Sequence, residues 1–225
     1  MAQDSLNFHT KQMQVNKLAT ITKIEQQKNK ARVNIFVDDA FFCGLNKETA
    51  ILFKLKPGQE IDEAEIQKAL EASEVKSAFE KASDYLSSRM HSKKELFDKL
   101  VKKGYEKDIA SKAIEKLEEY HYIDDSLFAK EFILQNSKLS KKMLENKLFS
   151  KGVANDIIQN ELKEKSDDEE IELCETFAKK YIKSKDINKE NGKQKMFASL
   201  MRKGFSFETI KKATKNILSS EDIEI

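Results

Sequence analysis

A length of 225 residues allows one large domain or a few small ones. With 39% hydrophobic and 36% charged residues the chain can bury a core beneath a heavily charged surface. Forty-one basic and 39 acidic side chains leave a formal charge of +2, so total charge selects no class of partner, and charge placement has to be read segment by segment. One proline and six glycines call for long helices with short connections.

Residues 1–16 have no clear period and are expected to fray. A strand-rich head is expected over 17–62. Ala19 to Glu25 alternates polar and apolar side chains, Gln26 to Lys30 is a polar turn, and Arg32 to Val37 returns. Asp38-Asp39 supplies a second tight turn into Ala40 to Leu45. A short helix is expected from about Lys47 to Leu55, then the Pro57-Gly58 turn and one more strand at Gln59-Glu60-Ile61. Such a small sheet needs a helix over its bare face.

From Glu63 onward apolar residues recur three and four apart, and self-comparison reveals three copies of one pattern. The Lys-Gly pairs Lys103-Gly104, Lys151-Gly152 and Lys203-Gly204 are 48 and 52 residues apart. Four residues before each glycine stands Leu100, Leu148 or Leu200, and eight before stands Leu96, Leu144 or Met196. Tyr105, Val153 or Phe205 follows the glycine, and Asp108, Asp156 or Glu208 stands four residues after it. Upstream, Ala82/Tyr85, Ala129/Phe132 and Ala178/Tyr181 repeat an Ala-x-x-aromatic element. Leucines four apart share a helix face, and glycine takes the left-handed conformation that ends a helix. The acid then favours the positive dipole end of the next helix.

The expected fold class is therefore mainly α. Tandem three-helix repeats over 63–122, 123–165 and 166–218 form an elongated curved rod, preceded by the small β-rich α+β head and followed by an acidic tail over 219–225. Stacked neighbours should bury faces that one module cannot cover alone.

No motif for catalysis emerges. Cys43 and Cys174 lack CxxC spacing and fit reduced thiols, and His9, His91 and His121 give no zinc spacing. There is no phosphate-cradling glycine loop, and no cofactor is expected. Asp124-Asp125 is structural here with the repeat positions Gly104, Gly152, Gly204, Leu100, Leu148 and Leu200, one or other aspartate reading as the N-cap of the helix starting near Ser126. Ser92-Lys93-Lys94-Glu95 reads as a reciprocal capping box. Phe97, Tyr105, Phe128, Phe132 and Phe149 are expected in the core. No apolar run is long enough to span a bilayer and Met1 to Thr10 is polar, so no membrane association and a cytoplasmic location are expected.

Basic residues fall at equivalent places in the copies: Lys93, Lys94, Lys99, Lys102 and Lys103; Lys141, Lys142, Lys147 and Lys151; Lys193, Lys195, Arg202, Lys203, Lys211 and Lys212. From Lys193 to Lys215 seven basic residues accompany one acid, Glu208, a local balance of +6. A broken basic stripe suited to phosphates or an acidic protein groove is expected if the modules stack in register.

The elements Tyr122-Ile123-Asp124-Asp125-x-x-Phe128-Ala129, Ser92-x-x-Glu95-Leu96-x-x-Lys99-Leu100-x-x-Lys103-Gly104 and Leu148-x-x-Lys151-Gly152 together resemble the RecX family, from about Ser73 through Ile217. The head is similar to that of longer family members, and the third copy departs from the pattern at Met196 and Thr209. The resemblance implies a non-enzymatic monomeric regulator. Its partner would be the filament that RecA recombinase forms on single-stranded DNA, with DNA contacted directly or through the filament. The alternative is a helical protein that binds nucleic acid with no recombinase partner.

Overall fold

The structure, a computed structural model, describes residues 19–185, 191–215 and 217–218. The expected frayed start and acidic tail lie outside the described residues. The chain divides into two compact units, Met1–Ala78 and Phe79–Ile225.

In the first unit β1 (Ala19–Gln26), β2 (Arg32–Val37) and β3 (Ala40–Asn46) form an antiparallel meander, and β4 (Glu60–Ile61) pairs with the start of β1, giving the order β3-β2-β1-β4. Asp38 and Asp39 both have positive φ, 47° and 64°, as a two-residue hairpin loop requires to match strand twist. The turn is tied to β1, since the Asp38 N–H donates to the Thr20 carbonyl (3.0 Å) and the Asp39 N–H to Thr22 Oγ1 (3.0 Å).

The helix α1 (Lys47–Leu52) stops three residues before the expected Leu55. Lys54 turns left-handed (φ 53°), and the Lys54 and Leu55 N–H groups close back on the Ile51 and Ala50 carbonyls. Ile21, Val33, Ile35, Cys43, Leu45 and Ile61 form the core beneath α2 (Glu63–Leu86), whose Ile66, Ala69 and Leu70 supply the required cover. Asn46 pins that helix, its N–H donating to Ser73 Oγ (2.7 Å) and its Nδ2 to the Ser73 carbonyl (3.1 Å). Burial pushes the Cys43 and Cys174 thiols up to about 12, which keeps both protonated and inert.

The second unit is a series of helix triplets. The C-terminal part of α2 is followed by α3 (Lys93–Lys103) and α4 (Lys107–Glu119). Next come α5 (Asp125–Gln135), α6 (Lys141–Ser150) and α7 (Asn155–Lys163), then α8 (Asp167–Ser184), α9 (Gly192–Arg202) and α10 (Phe207–Thr214). The repeated columns occupy equivalent places. Leu96, Leu144 and Met196 are fully buried, as are Ala82, Ala129 and Ala178, and Leu100, Leu148 and Leu200 are at most 1% exposed.

Gly104, Gly152 and Gly204 have φ of 107°, 80° and 88°. The N–H groups of the residues that follow them, Tyr105, Val153 and Phe205, return to the Leu100, Leu148 and Leu200 carbonyls, which closes each second helix with a Schellman turn.

Phe149 is a correction: it is 69% exposed, not in the core. The buried stripe of α6 runs through Leu144 and Leu148, and the residue after Leu148 is turned about 100° away from it. Thr209, in the column of Ile109 and Ile157, sits at the start of α10. Its N–H donates to Ser206 Oγ (3.0 Å), and its hydroxyl shares a hydrogen bond with the same atom.

Candidate partner-binding surface and the junctions behind it

Neighbouring modules of the second unit are joined by a polar device used twice. Ser92, the N-cap of α3, accepts from the Glu95 N–H (3.1 Å) and donates its hydroxyl to the Lys151 carbonyl at the end of α6 (2.6 Å). Ser140, the N-cap of α6, accepts from the Met143 N–H (3.2 Å) and donates to the Lys203 carbonyl at the end of α9 (2.6 Å). A hydroxyl both donates and accepts, so one serine satisfies a free donor of its own helix and a free acceptor of the next module's helix.

The adjoining N–H is capped from the next module as well. Lys93 donates to Asp125 Oδ1 (2.9 Å), and Lys141 donates to both Glu170 oxygens (3.1 and 3.2 Å). Burial raises the Asp125 and Glu170 carboxyls above the usual carboxylate range, against the opposing pull of these backbone bonds.

The glycines complete the fit. A Cβ on Gly152 would run into the Lys94 side chain, and one on Gly204 would lie 2.5 Å from Ser140 Oγ, whereas one on Gly104 would meet nothing within 4 Å. Glycine at 152 and 204 therefore serves both the turn and the close approach of the preceding module.

The cap expected at the paired aspartates falls to one of them, and the expected capping box changes. Asp124 is the N-cap of α5, accepting from Ser126 N–H (2.7 Å) and Leu127 N–H (3.2 Å), but Asp125 reaches across to α3 and does not share that role. The capping box is only half formed. The Glu95 carboxylate turns to Lys151 (2.6 Å) and Arg89 (3.2 Å). Burial pushes the Glu95 carboxyl up, but the Lys151 and Arg89 hydrogen bonds outweigh it and hold the carboxyl below its usual range.

The junctions also use several of the cations singled out by sequence. Lys93 pairs with Glu118, Lys141 pairs with Asp167 (2.7 Å), and Lys151 pairs with Glu95 while lying over the Phe128 and Phe132 rings (5.9 and 5.5 Å). Lys94 pairs with Asp98 and Lys142 with Glu145 (2.7 Å), each within its own helix. Lys99 lies 4.6 Å over the Tyr85 ring and Lys203 4.4 Å over Phe177. Lys193 is half-buried and also engaged.

Lys102, Lys103, Lys147, Lys195, Arg202, Lys211 and Lys212 are exposed and form no ion pair among the described residues. Lys102, Lys147 and Arg202 stand in the last turns of α3, α6 and α9, where a cation complements the negative dipole end, so part of the recurrence has a structural cause. In the third module Lys195, Arg202, Lys211 and Lys212 share α9 and α10 with the exposed Met201 and Phe207.

The chain is similar to regulatory protein RecX of Bacillus pumilus, at 36% identity over 91% of this chain and 80% of that protein. It is 34% identical to regulatory protein RecX of Clostridioides difficile over 92% of this chain and the whole of that one. The chain belongs to the RecX family. The RecX N-terminal domain model matches residues 19–62, and the models of the first and third RecX three-helix domains match residues 78–117 and 167–214.

A crystal structure of regulatory protein RecX superposes with a TM-score of 0.70 at 27% identity, covering 86% of this chain and 99% of that one. The RecX structure from Lactobacillus salivarius gives 0.59 at 26% identity over 65% of this chain and 97% of that one. The matched RecX domains coincide with the sheet unit and with the first and third triplets, so family and architecture agree. No helix is long and apolar enough to cross a membrane, and no cluster of three His, Cys, Asp or Glu could hold a metal ion, among the described residues.

Sequence reasoning missed the junctions themselves. Their signal was present in the shared Ser-Lys-Lys at Ser92 and Ser140, which recurs at equal distance from the following lysine–glycine pair of its own module.

Proposed function

We propose that this RecX-family chain is a cytoplasmic, monomeric regulator that binds the RecA filament on single-stranded DNA. It restrains ATP hydrolysis, strand exchange and filament growth. The observation that carries this reading, beside family membership, is the division of labour among the cations. Lys93, Lys141 and Lys151 are spent inside the chain, while Lys195, Arg202, Lys211 and Lys212 of the third module stay exposed on the two helices that also expose Met201 and Phe207.

Exposed cations beside apolar side chains suit an acidic protein groove carrying nucleic acid. The cations supply steering and a salt-dependent share of affinity, and the apolar groups supply dry contact. Several modest contacts spread over modules add through effective concentration without one strong site.

Binding measured by anisotropy on RecA filaments and on naked single-stranded DNA tests the reading. The parent chain should prefer filaments by at least tenfold. The Lys195→Glu/Arg202→Glu/Lys203→Glu variant should bind filaments more weakly and with a shallower salt dependence. Equal, steeply salt-dependent binding to both targets would instead favour a protein acting directly on nucleic acid, a reading the same exposed cations support.

A further inference from the structure

Among the buried polar side-chain atoms of the described residues, His91 Nε2 is the one that lacks a hydrogen-bond partner. His91 is 3% exposed and precedes Ser92, the serine whose hydroxyl crosses to the Lys151 carbonyl. Its Nδ1 lies 2.9 Å from the Arg89 carbonyl. A carbonyl can only accept, so the ring proton sits on Nδ1 and Nε2 keeps a bare lone pair. A second proton would turn Nε2 into a buried donor with nothing to meet, which is costly.

The surrounding charges also resist that proton. From α2 and the turn after it come Arg89 and the Tyr85 ring, whose centroid is 6.4 Å away, and from α3 come Lys99 and Glu95. Lys81 and Lys99 both lie over the Tyr85 ring (5.2 and 4.6 Å), and Lys81 pairs with Asp84. Glu95, the carboxylate that faces His91, is already held by Arg89 and, from the end of α6, by Lys151. Arg89 is fixed in turn, since its guanidinium also donates to the Met90 carbonyl (2.7 Å). Burial holds the imidazole below its ordinary range. The bond to the Arg89 carbonyl and the Glu95 charge oppose this, while the Arg89 and Lys99 charges reinforce it.

The second junction has no such group at this place. Leu139 precedes Ser140 as His91 precedes Ser92, and it packs against the core of its module. Titration at this position is thus confined to one of two otherwise equivalent junctions.

We propose that His91 is an acid-sensitive latch on the junction between the first and second modules: its neutral ring holds the turn that presents Ser92 to the end of α6, and protonation releases that turn. The unfolded chain takes up the proton more readily than the folded one. The latch is therefore intact above the ordinary histidine range, near 6.5, and loosens as pH falls below it. The raised Glu170 works in the opposite sense, so acid loosens the first junction in preference to the second. Asp125 at the first junction is raised as well and opposes the loosening, so the response of His91 is read as the difference between parent and variant. The latch is independent of which partner the chain binds.

The test is NMR and amide exchange on the full chain at about pH 8 and about pH 5.5. The parent is compared with His91→Leu, which copies Leu139, and with His91→Asn, which can keep a bond to the Arg89 carbonyl without titrating. The parent His91 ring should titrate at lower pH than histidine in the urea-unfolded chain. After correction for intrinsic exchange, acid should cost the Lys93 and Glu95 amides severalfold more protection than the Lys141 and Met143 amides. Both variants should abolish that difference.

A His91 ring that titrates as in the unfolded chain would overturn the proposal, even if neither variant folds. So would equal losses at the two junctions, which would make the acid response global. A difference that persists in both variants would also overturn it, by placing the response on another group.

Discussion

The two module junctions solve one geometric problem with different side chains. Between the first and second modules, Ser92 and Asp125 hold α3 against the end of α6, and Lys151 is clamped by Glu95 above two phenyl rings. Between the second and third, Ser140 and a bidentate Glu170 do the same for α6 and α9. There Lys165, buried with Glu170 at 3.8 Å, donates to the Ser137 and Leu139 carbonyls (3.2 and 2.9 Å). The serine hydroxyl and the glycine are fixed because backbone must meet backbone. The carboxylate comes from different turns, four residues before Ala129 in one case and eight before Ala178 in the other. What is retained is the capped N–H, and several positions can deliver the cap.

The largest effect should come from separating the two duties of the glycines. Gly152→Ala places a methyl group in Lys94 and strains a positive φ, so calorimetry should show a loss of about 2–4 kcal/mol from overpacking and left-handed strain combined. Gly104→Ala has only the strain, on the order of 1 kcal/mol. Equal losses would remove the junction role.

A smaller contrast lies at Asp125. Alanine strands the Lys93 N–H and should cost about 1–3 kcal/mol, whereas asparagine can still accept that bond without burying a charge and should cost less than half as much in urea melts.

The smallest effect concerns pH. The folded Glu95 carboxyl lies below its unfolded value, so its contribution is present above the ordinary glutamate range and is lost as pH falls through the folded value. The raised Asp125 and Glu170 carboxyls work in the opposite sense, and their contribution declines as pH rises through the interval above their unfolded values. Glu95→Gln should therefore flatten the acid side of a stability profile while leaving the Asp125 and Glu170 trend. An unchanged acid limb would show that the Lys151 pair is not tighter in the folded chain.

The repeat was legible because its determinants are local. Leu96 and Leu100 lie one turn apart, Gly104 closes the same helix, and the columns recur at Leu144, Leu148 and Gly152. The head was legible for the same reason, with alternation in β1 and β2 and Asp38-Asp39 marking the hairpin. The junctions were not, because Ser92 meets a backbone carbonyl 59 residues away and no side-chain pattern records which carbonyl it finds. Glu95 has the spacing of a capping box, yet Lys151, supplied by the next module, offers its carboxylate a charged partner in place of a backbone N–H. Of the basic positions, sequence gave the distribution but not the division between cations consumed at Lys93, Lys141 and Lys151 and those left exposed at Lys195 and Arg202.

That division leads to the regulatory reading, and ATP turnover by RecA on single-stranded DNA, followed as this chain is titrated in, tests it most directly. Turnover should fall to a saturating plateau with the parent chain and should require several times more of the Lys195→Glu/Arg202→Glu/Lys203→Glu variant to fall as far. Turnover that stays constant across the titration would contradict the account.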